Sequence, residues 1–443
     1  MNITVAGTGY VGLVTGVCLA ELGHQVICLD IQEEKMAMLQ AGRSPIYEPG
    51  LEDLLRKNLQ CGRLHFTTNP QYAYGNAEII FIAVGTPEQQ DGTANLEYVR
   101  EVAHSIAQFM KNDVIVCTKS TVPVGTNNQI SEIIHRNKPA NLYAEVVANP
   151  EFLREGSAIV DFFYGDRIVI GTDCPRAQAL MEQIYLPLDI PIIKTDIKSA
   201  EMIKYAANAF LATKISFINE IATICEKVGA NIDEVAKGIG KDERIGPYFL
   251  KAGIGYGGSC FPKDTKALVQ LAGNMQHSFD LLQAVIEVNT HQASLPVVKA
   301  KEVIGSLKGK KVALLGLSFK PNTDDVREAA SLVIVKELLK EGAIITAFDP
   351  IAIPNAQHVL GNTIEYTQDI RLALLHADVA IIATEWEEIK QLSLDSYELY
   401  MKKPIVIDGR NCYSLQEIRK HPMTYISIGR PTVIHEYKKS GTY

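Results

Sequence analysis

Basic charge is in short supply in this sequence: 43 Lys and Arg face 51 Asp and Glu, a formal net charge of −8. Without a basic excess there is little to neutralise a phosphate backbone, so nucleic acid is excluded as a general partner. A small anionic ligand is still allowed, because it needs only a few local Lys or Arg side chains. Long apolar runs are also missing. A membrane-spanning helix takes about 20 consecutive apolar residues, so no membrane partner is expected. The first residues, MNITVAGTGYVG, lack the basic start and long apolar core of a secretory signal, and a cytoplasmic protein is expected. None of the eight cysteines belongs to a CxxC pair, so neither a metal site nor a disulfide framework is expected. Seven of them (Cys18, Cys28, Cys61, Cys117, Cys174, Cys225 and Cys412) read as small buried hydrophobes.

What is present is ordinary globular material, 47% apolar and 21% charged. The first part alternates short apolar runs with helical stretches: NITVAG, HQVICLD, AEIIFIAVGTP, DVIVCTKST, AEVVANPE and RIVIGTD. Near-continuous apolar strands separated by helices predict a parallel sheet covered on both faces. Residues 1–195 therefore read as a doubly wound α/β domain. From Ser199, a candidate N-cap, the chain runs about thirty residues without proline, with Glu201 suited to a first turn. One long helix to about Val228 is predicted, inside a central helical region 196–305 that offers a dimer surface. Strands return in GKKVALLGLSF, AIITAFDP, ADVAIIATEW and KPIVIDGRN. Residues 306–443 read as a second, smaller Rossmann-like α/β domain, a degenerate copy of the first. It has GLSFK where the first has GTGYVG, and Asp349 where the first has Asp30. The final HEYKKSGTY suggests a mobile end.

Gly7, Gly9 and Gly12 form GxGxxG between a strand and a helix, with Tyr10 and Val11 opening the helix. That spacing suits a tight turn, a close approach to a pyrophosphate and helix packing. The anion would sit at the helix N-terminus. Asp30, at the end of the second strand, can accept both ribose hydroxyls and would repel a 2′-phosphate. NAD is favoured over NADP, and Lys35 lies past Asp30 without reversing that preference. Thr86 and Thr121 sit at the carboxyl ends of later strands, the edge where such sheets bind ligands.

A second constellation surrounds GYGGSCFPKD, residues 255–264. Its lone Cys260 stands among glycines and just before Lys263 and Asp264. A structural cysteine needs no glycines, whereas a reactive one needs room and something to hold it as thiolate. Lys204 and Asn208 fall four apart on an otherwise apolar helical face. Glu151, Arg154 and Glu155 lie just past a strand's carboxyl end, which suits acid–base work.

Taken together, GTGYVGL, AVGTP, STVPVGT, NPEFLREGSA, KYAANAFLA, GYGGSCFPKD and GLSFKPNTDDVREA closely resemble the UDP-glucose/GDP-mannose dehydrogenases, in order from residue 1 to about 330. The resemblance implies an NAD-dependent four-electron oxidation of a nucleotide sugar, UDP-glucose, by a homodimer. It implies that Cys260 is the nucleophile, that Lys204 and Asn208 stabilise oxyanions, and that Asp264 holds a water or orients Lys204. Glu151, Phe152, Leu153, Arg154 and Glu155 would line the substrate, with Glu151 near the chemistry and Glu155 also near the nicotinamide. Phe249, Leu250, Lys251 and Gly257 would cover the nucleotide, and Arg244 would reach the other subunit's substrate. Lys263 and Arg327 would touch the cofactor. Phe319 and Lys320 would serve the uridine and diphosphate, and Arg410 another anionic group. The alternatives are the same chemistry on GDP-mannose or a UDP-N-acetylhexosamine, and a non-catalytic sensor of NAD and sugar nucleotides.

Overall fold

The computed structural model describes residues 1–89 and 91–435. The tail beyond His435, and with it the expected loose end, lies outside the described residues. The chain forms two compact units, Met1–Ala207 with Lys266–Gln276, and Asn208–Thr265 with His277–Tyr443.

The first unit holds an eight-stranded sheet: β1 (Asn2–Ala6), β2 (Gln25–Leu29), β3 (Leu64–Thr67), β4 (Ile79–Ile82), β5 (Val114–Thr118), β6 (Ala144–Ala148), β7 (Ile168–Gly171) and β8 (Ile192–Thr195). Their order is β3-β2-β1-β4-β5-β6-β7-β8. β4 is wholly apolar, β5 is apolar up to its last residue Thr118, and every residue in both is buried, as a strand covered on both faces requires. The sheet is not wholly parallel, however. β7 runs antiparallel to β6, and β8 runs parallel to β7 across the helix Pro175–Tyr185. Helix α1 (Tyr10–Glu21) buries every residue from Gly12 to Ala20, so it is apolar all round and shows no amphipathic stripe.

The second unit holds six further strands: β9 (Lys311–Leu315), β10 (Ile344–Phe348), β11 (Glu365–Thr367), β12 (Val379–Ile382), β13 (Ile405–Asp408) and β14 (Thr424–Ser427). Their order, β11-β10-β9-β12-β13-β14, repeats that of the first six strands, and all pairings are parallel. The reading of this region as a copy of the first sheet is borne out in topology.

Helix α2 (Ile197–Val228) passes from the first unit into the second between Ala207 and Asn208. Ser199 is not its cap. Asp196 is, accepting from the Ser199 N–H at 2.9 Å and its hydroxyl at 2.6 Å, so Ser199 stands inside the first turn. Glu201 is buried, and accepts from the N–H groups of Gly125 and Asn127 at 2.7 and 2.9 Å. Helix α3 (Phe261–Asn274) starts in the second unit and returns to the first after Thr265. No helix among the described residues is long and apolar enough to cross a membrane.

Candidate active site

The expected site residues fall into two groups, one in each unit. In the first unit, β1 runs into the glycine turn. Gly7 has φ 96°, and a Cβ there would lie 2.8 Å from the Ala83 carbonyl oxygen. At Gly12 a Cβ would lie 2.0 Å from the Gly7 carbonyl oxygen, while over Gly9 nothing lies within 4 Å. Gly7 and Gly12 thus serve the turn's own packing, and Gly9 keeps a space open at the head of α1. The first N–H groups of a helix have no internal partner, so Tyr10, Val11 and Gly12 begin a cradle suited to a pyrophosphate.

Asp30 follows β2 and accepts from the Thr8 N–H at 2.9 Å, the Thr8 hydroxyl at 2.6 Å and Lys35 Nζ at 3.2 Å. Burial pushes its carboxyl up. The Thr8 bonds, Lys35 and the Gln32 N–H outweigh that and hold it below the usual aspartate range. An ionised carboxylate at this edge, with an open cradle beside it, fits a dinucleotide. Thr86 donates to the Thr121 carbonyl at 3.0 Å, which ties the segments after β4 and β5 together.

Glu151, just past β6, is buried and accepts from Lys204 Nζ at 3.1 Å, with both side chains at most 5% exposed. The Leu153 N–H donates to the same carboxylate. A buried pair of this kind keeps both charges in place, since loss of either partner strands the other. The Phe152 ring lies beneath the Arg167 guanidinium at 3.6 Å and near Lys204 Nζ at 5.3 Å, so it packs against cations as well as lining the edge. Leu153 packs against the first unit's core. Arg154 is exposed and forked onto Asp161. Glu155 is half-buried.

In the second unit, the Cys260 carbonyl accepts the Asp264 N–H at 2.8 Å. Cys260 therefore heads α3, where the helix dipole favours a negative sulfur. Its Sγ lies 3.7 Å from the Ser259 hydroxyl. Asp264 is buried and accepts from Asn208 Nδ2 at 2.7 Å and Lys263 Nζ at 2.6 Å. Each of the two expected polar residues of α2 thus has a carboxylate partner, Glu151 for Lys204 and Asp264 for Asn208.

The other expected residues have the following surroundings. A Cβ on Gly257 would lie 2.2 Å from the Glu328 carbonyl oxygen, so this glycine serves the loop's own packing. Leu250 belongs to the core, and its neighbour Phe249 has φ 61°, rare for a bulky residue. Lys251 lies 3.6 Å from Glu385. Arg244 and Arg327 are exposed and each grips the aspartate two residues before it. Phe319 and Lys320 are half-buried, with Lys320 Nζ 5.3 Å from the Phe319 ring centre. Arg410 donates to the carbonyls of Ala383, Gly255 and Phe319 at 2.8, 3.0 and 3.3 Å, so much of its guanidinium is taken up by backbone. Among the cysteines, Cys61 is exposed at the end of the helix Leu51–Gln60. Cys174 and Cys412 are half-buried, and Cys174 caps the helix Pro175–Tyr185. These three correct the expectation of burial.

Two buried residues of the first unit escaped the sequence reading. Lys119 directly follows β5, and burial pushes its ammonium down to about 8, with Glu151 and Lys204 close enough to add opposing effects. A lysine at the carboxyl end of a buried, almost wholly apolar strand was the available signal. Glu48, in SPIYEPG, gave none, because its partners lie far away in sequence.

Family models match along the chain. The NAD binding domain of the UDP-glucose/GDP-mannose dehydrogenase family matches residues 1–189, its central domain 198–291 and its UDP binding domain 313–415. The chain is 56% identical to UDP-glucose 6-dehydrogenase YwqF of Bacillus subtilis (strain 168), covering 98% of this chain and 99% of that one. It is 46% identical to UDP-glucose 6-dehydrogenase of Rhizobium meliloti (strain 1021), covering 97% and 100%. The solved UDP-glucose dehydrogenase of Pyrobaculum islandicum superposes with a TM-score of 0.91 at 38% identity, covering 97% and 98%.

Proposed function

The chain belongs to the UDP-glucose/GDP-mannose dehydrogenase family, and from that membership we propose that it oxidises UDP-glucose to UDP-glucuronate. NAD is the cofactor. Gly7, Gly9, Gly12 and Asp30 would hold it. When bound, NAD supplies the hydride acceptor, twice per sugar. The observation that carries the chemistry is Cys260 at the head of α3, with Asp264 held in the first turn of the same helix by Asn208 and Lys263.

The roles follow from those groups. A base takes the hydroxyl proton of the sugar's primary alcohol in the first oxidation. The Cys260 sulfur then adds to the resulting aldehyde, forming a C–S bond and a thiohemiacetal whose oxygen carries the charge. Lys204 and Asn208 are the donors proposed for that oxygen. Unlike a free aldehyde, the adduct has a C–H bond that can be oxidised without prior hydration. The second oxidation leaves a thioester. Water cleaves the C–S bond, releases the thiolate and gives the carboxylate, with Glu151 or Asp264 taking a proton. Per UDP-glucose, one water is consumed, two NADH form and three protons are released. Covalent capture divides one difficult oxidation into two and keeps the aldehyde from escaping.

The test is Cys260→Ala, assayed with UDP-glucose, GDP-mannose and a UDP-N-acetylhexosamine, with NADH counted per sugar consumed. Wild type should yield two NADH per UDP-glucose and little from the others. The variant should still bind both ligands, while acid formation falls about 10⁴-fold, or roughly 5.5 kcal/mol of barrier. Two NADH per UDP-glucose at near wild-type rate from Cys260→Ala would remove the covalent route.

The division into 1–195, 196–305 and 306–443, a cytoplasmic location and a homodimer belong to the same reading. α2 exposes Phe210, Phe217 and Ile224 at seven-residue spacing, 65%, 54% and 54% exposed. Such a stripe on one helix face suits a second copy of the chain. Sedimentation of the wild type and of Phe217→Asp checks it: a wild-type monomer would remove the dimer from the reading.

A further inference from the structure

Glu48 lies between the helices Glu33–Gln40 and Leu51–Gln60 and is 6% exposed. Its carboxylate serves two segments that are remote in sequence. On one side, the hydroxyl of Tyr10, the first residue of α1, hydrogen-bonds Oε2. On the other, the Gly156 N–H donates to Oε2 at 2.6 Å and the Ala158 N–H donates to Oε1 at 2.7 Å. The Gly156 N–H also reaches the Tyr10 hydroxyl at 2.8 Å, which closes a small ring of bonds. A buried carboxylate is tolerated only when its oxygens are satisfied. A glutamine has one accepting oxygen and would turn an N–H₂ towards a backbone N–H, so it cannot stand in for this group.

The segments joined here are those that carry the chemistry. Tyr10 heads the helix whose first N–H groups form the cofactor cradle. Gly156 and Ala158 end the loop that begins at Glu151, the buried partner of Lys204. The Arg154 N–H and guanidinium bond to Asp161, so that contact closes the loop on the short helix immediately following it. The Glu48 bonds reach α1 instead.

We propose that Glu48 is a positioning residue for the oxidation: it holds the head of the cofactor helix and the Glu151 loop in one register, fixing the cofactor cradle relative to the Glu151–Lys204 pair. This rests on the function proposed above. Reacting groups displaced by about 1 Å can lose about 10²-fold in rate while ground-state binding changes little. The expected signature is therefore a loss in kcat with KM nearly preserved.

The test compares wild type, Glu48→Gln, Glu48→Asp, Tyr10→Phe and Glu48→Gln/Tyr10→Phe. It measures kcat, both KM values and the melting temperature, with competent sites counted by calorimetric titration with NADH. Per competent site, Glu48→Gln should lose about 30-fold in kcat, with both KM values within about threefold of wild type. Tyr10→Phe should lose about fivefold, and the double variant should be no worse than Glu48→Gln, because both changes act on one contact. Glu48→Asp keeps two accepting oxygens and should recover part of the loss. A purely structural role would lower the melting temperature and the number of competent sites but leave kcat per site unchanged. That result, or losses that multiply in the double variant, overturns the proposal. Should Glu48→Gln fail to fold, Tyr10→Phe decides, because it keeps the carboxylate; an unchanged kcat there overturns the proposal. A wild type inert towards UDP-glucose would instead overturn the function on which this rests.

Discussion

The two sheets share a strand order, and each carries an aspartate directly after its second strand: Asp30 after β2 and Asp349 after β10. Their surroundings differ. Asp30 takes its bonds from Thr8, Gln32 and Lys35 and keeps 12% of its side chain exposed. Asp349 is fully buried. It accepts from the backbone N–H groups of Leu317, Ser318, Ile351 and Ala352 and from the indole N–H of Trp386 at 3.0 Å. One aspartate remains available to a ligand, while the other knits together the turns around it. A repeated topology does not repeat a site, because the site depends on which donors reach the shared position. The cations after the fifth strand of each order also have different partners. Lys119, after β5, lies over the Tyr185 ring, whereas Arg410, just past β13, is spent largely on carbonyls.

The contrast is broken most severely by Asp349→Ala. It strands five donors, four of them buried, at a cost of about 1–3 kcal/mol for each buried one, and should leave the second unit unfolded at room temperature. Asp30→Ala should melt near wild type. Calorimetric melting of both variants decides: a folded Asp349→Ala would make the two aspartates alike after all.

Lys119→Met comes next. In the folded chain this ammonium is held at about 8, against an ordinary value of 10.5. Between those pH values the unfolded chain binds more protons, so the wild type gains stability as pH rises through that window. Below about pH 8 the burial penalty is present in full. The methionine variant should be more stable than wild type by roughly 3 kcal/mol at pH 7, at about 1.4 kcal/mol per pH unit. The gap should close towards pH 10.5. Denaturant melts at pH 7, 9 and 10 check this, and a gap that stays constant with pH would assign the difference to packing.

Asp30→Ala should narrow the preference for NAD over NADP by about 10- to 100-fold, because repulsion of a 2′-phosphate is lost. Comparison of kcat/KM for the two cofactors measures it. The smallest effect expected is that of Lys320→Ala, about fivefold in KM for UDP-glucose with KM for NAD little changed. An unchanged sugar-nucleotide KM would detach the second sheet's edge from substrate.

Much of this was legible in the residues. The glycine fingerprint and Asp30 are local patterns that point to a dinucleotide, and the glycines around Cys260 point to a reactive thiol, while its proposed role as nucleophile comes from the family resemblance. The strands that sequence reading passed over are β3, β8, β11 and β14, the four sheet edges. Each has only three or four residues, and all but β14 carry exposed or half-exposed positions, so none makes the long apolar run that marks a central strand. Among the site residues, the chemistry-bearing types were visible and their partners were not. Glu48 and Gly156 are 108 residues apart, and Glu201 lies 76 residues from Gly125. Such pairings are decided by topology, which no local window contains. The carbonyls that hold Arg410 are likewise known only from the fold.

The chain has one tryptophan, Trp386, and its indole is buried against Asp349. Intrinsic tryptophan emission from the whole protein therefore reports on a single locus, the closed edge of the second sheet. Its red shift during denaturation would follow the second unit alone, and set beside far-ultraviolet circular dichroism it would show whether the two sheets come apart together or in turn.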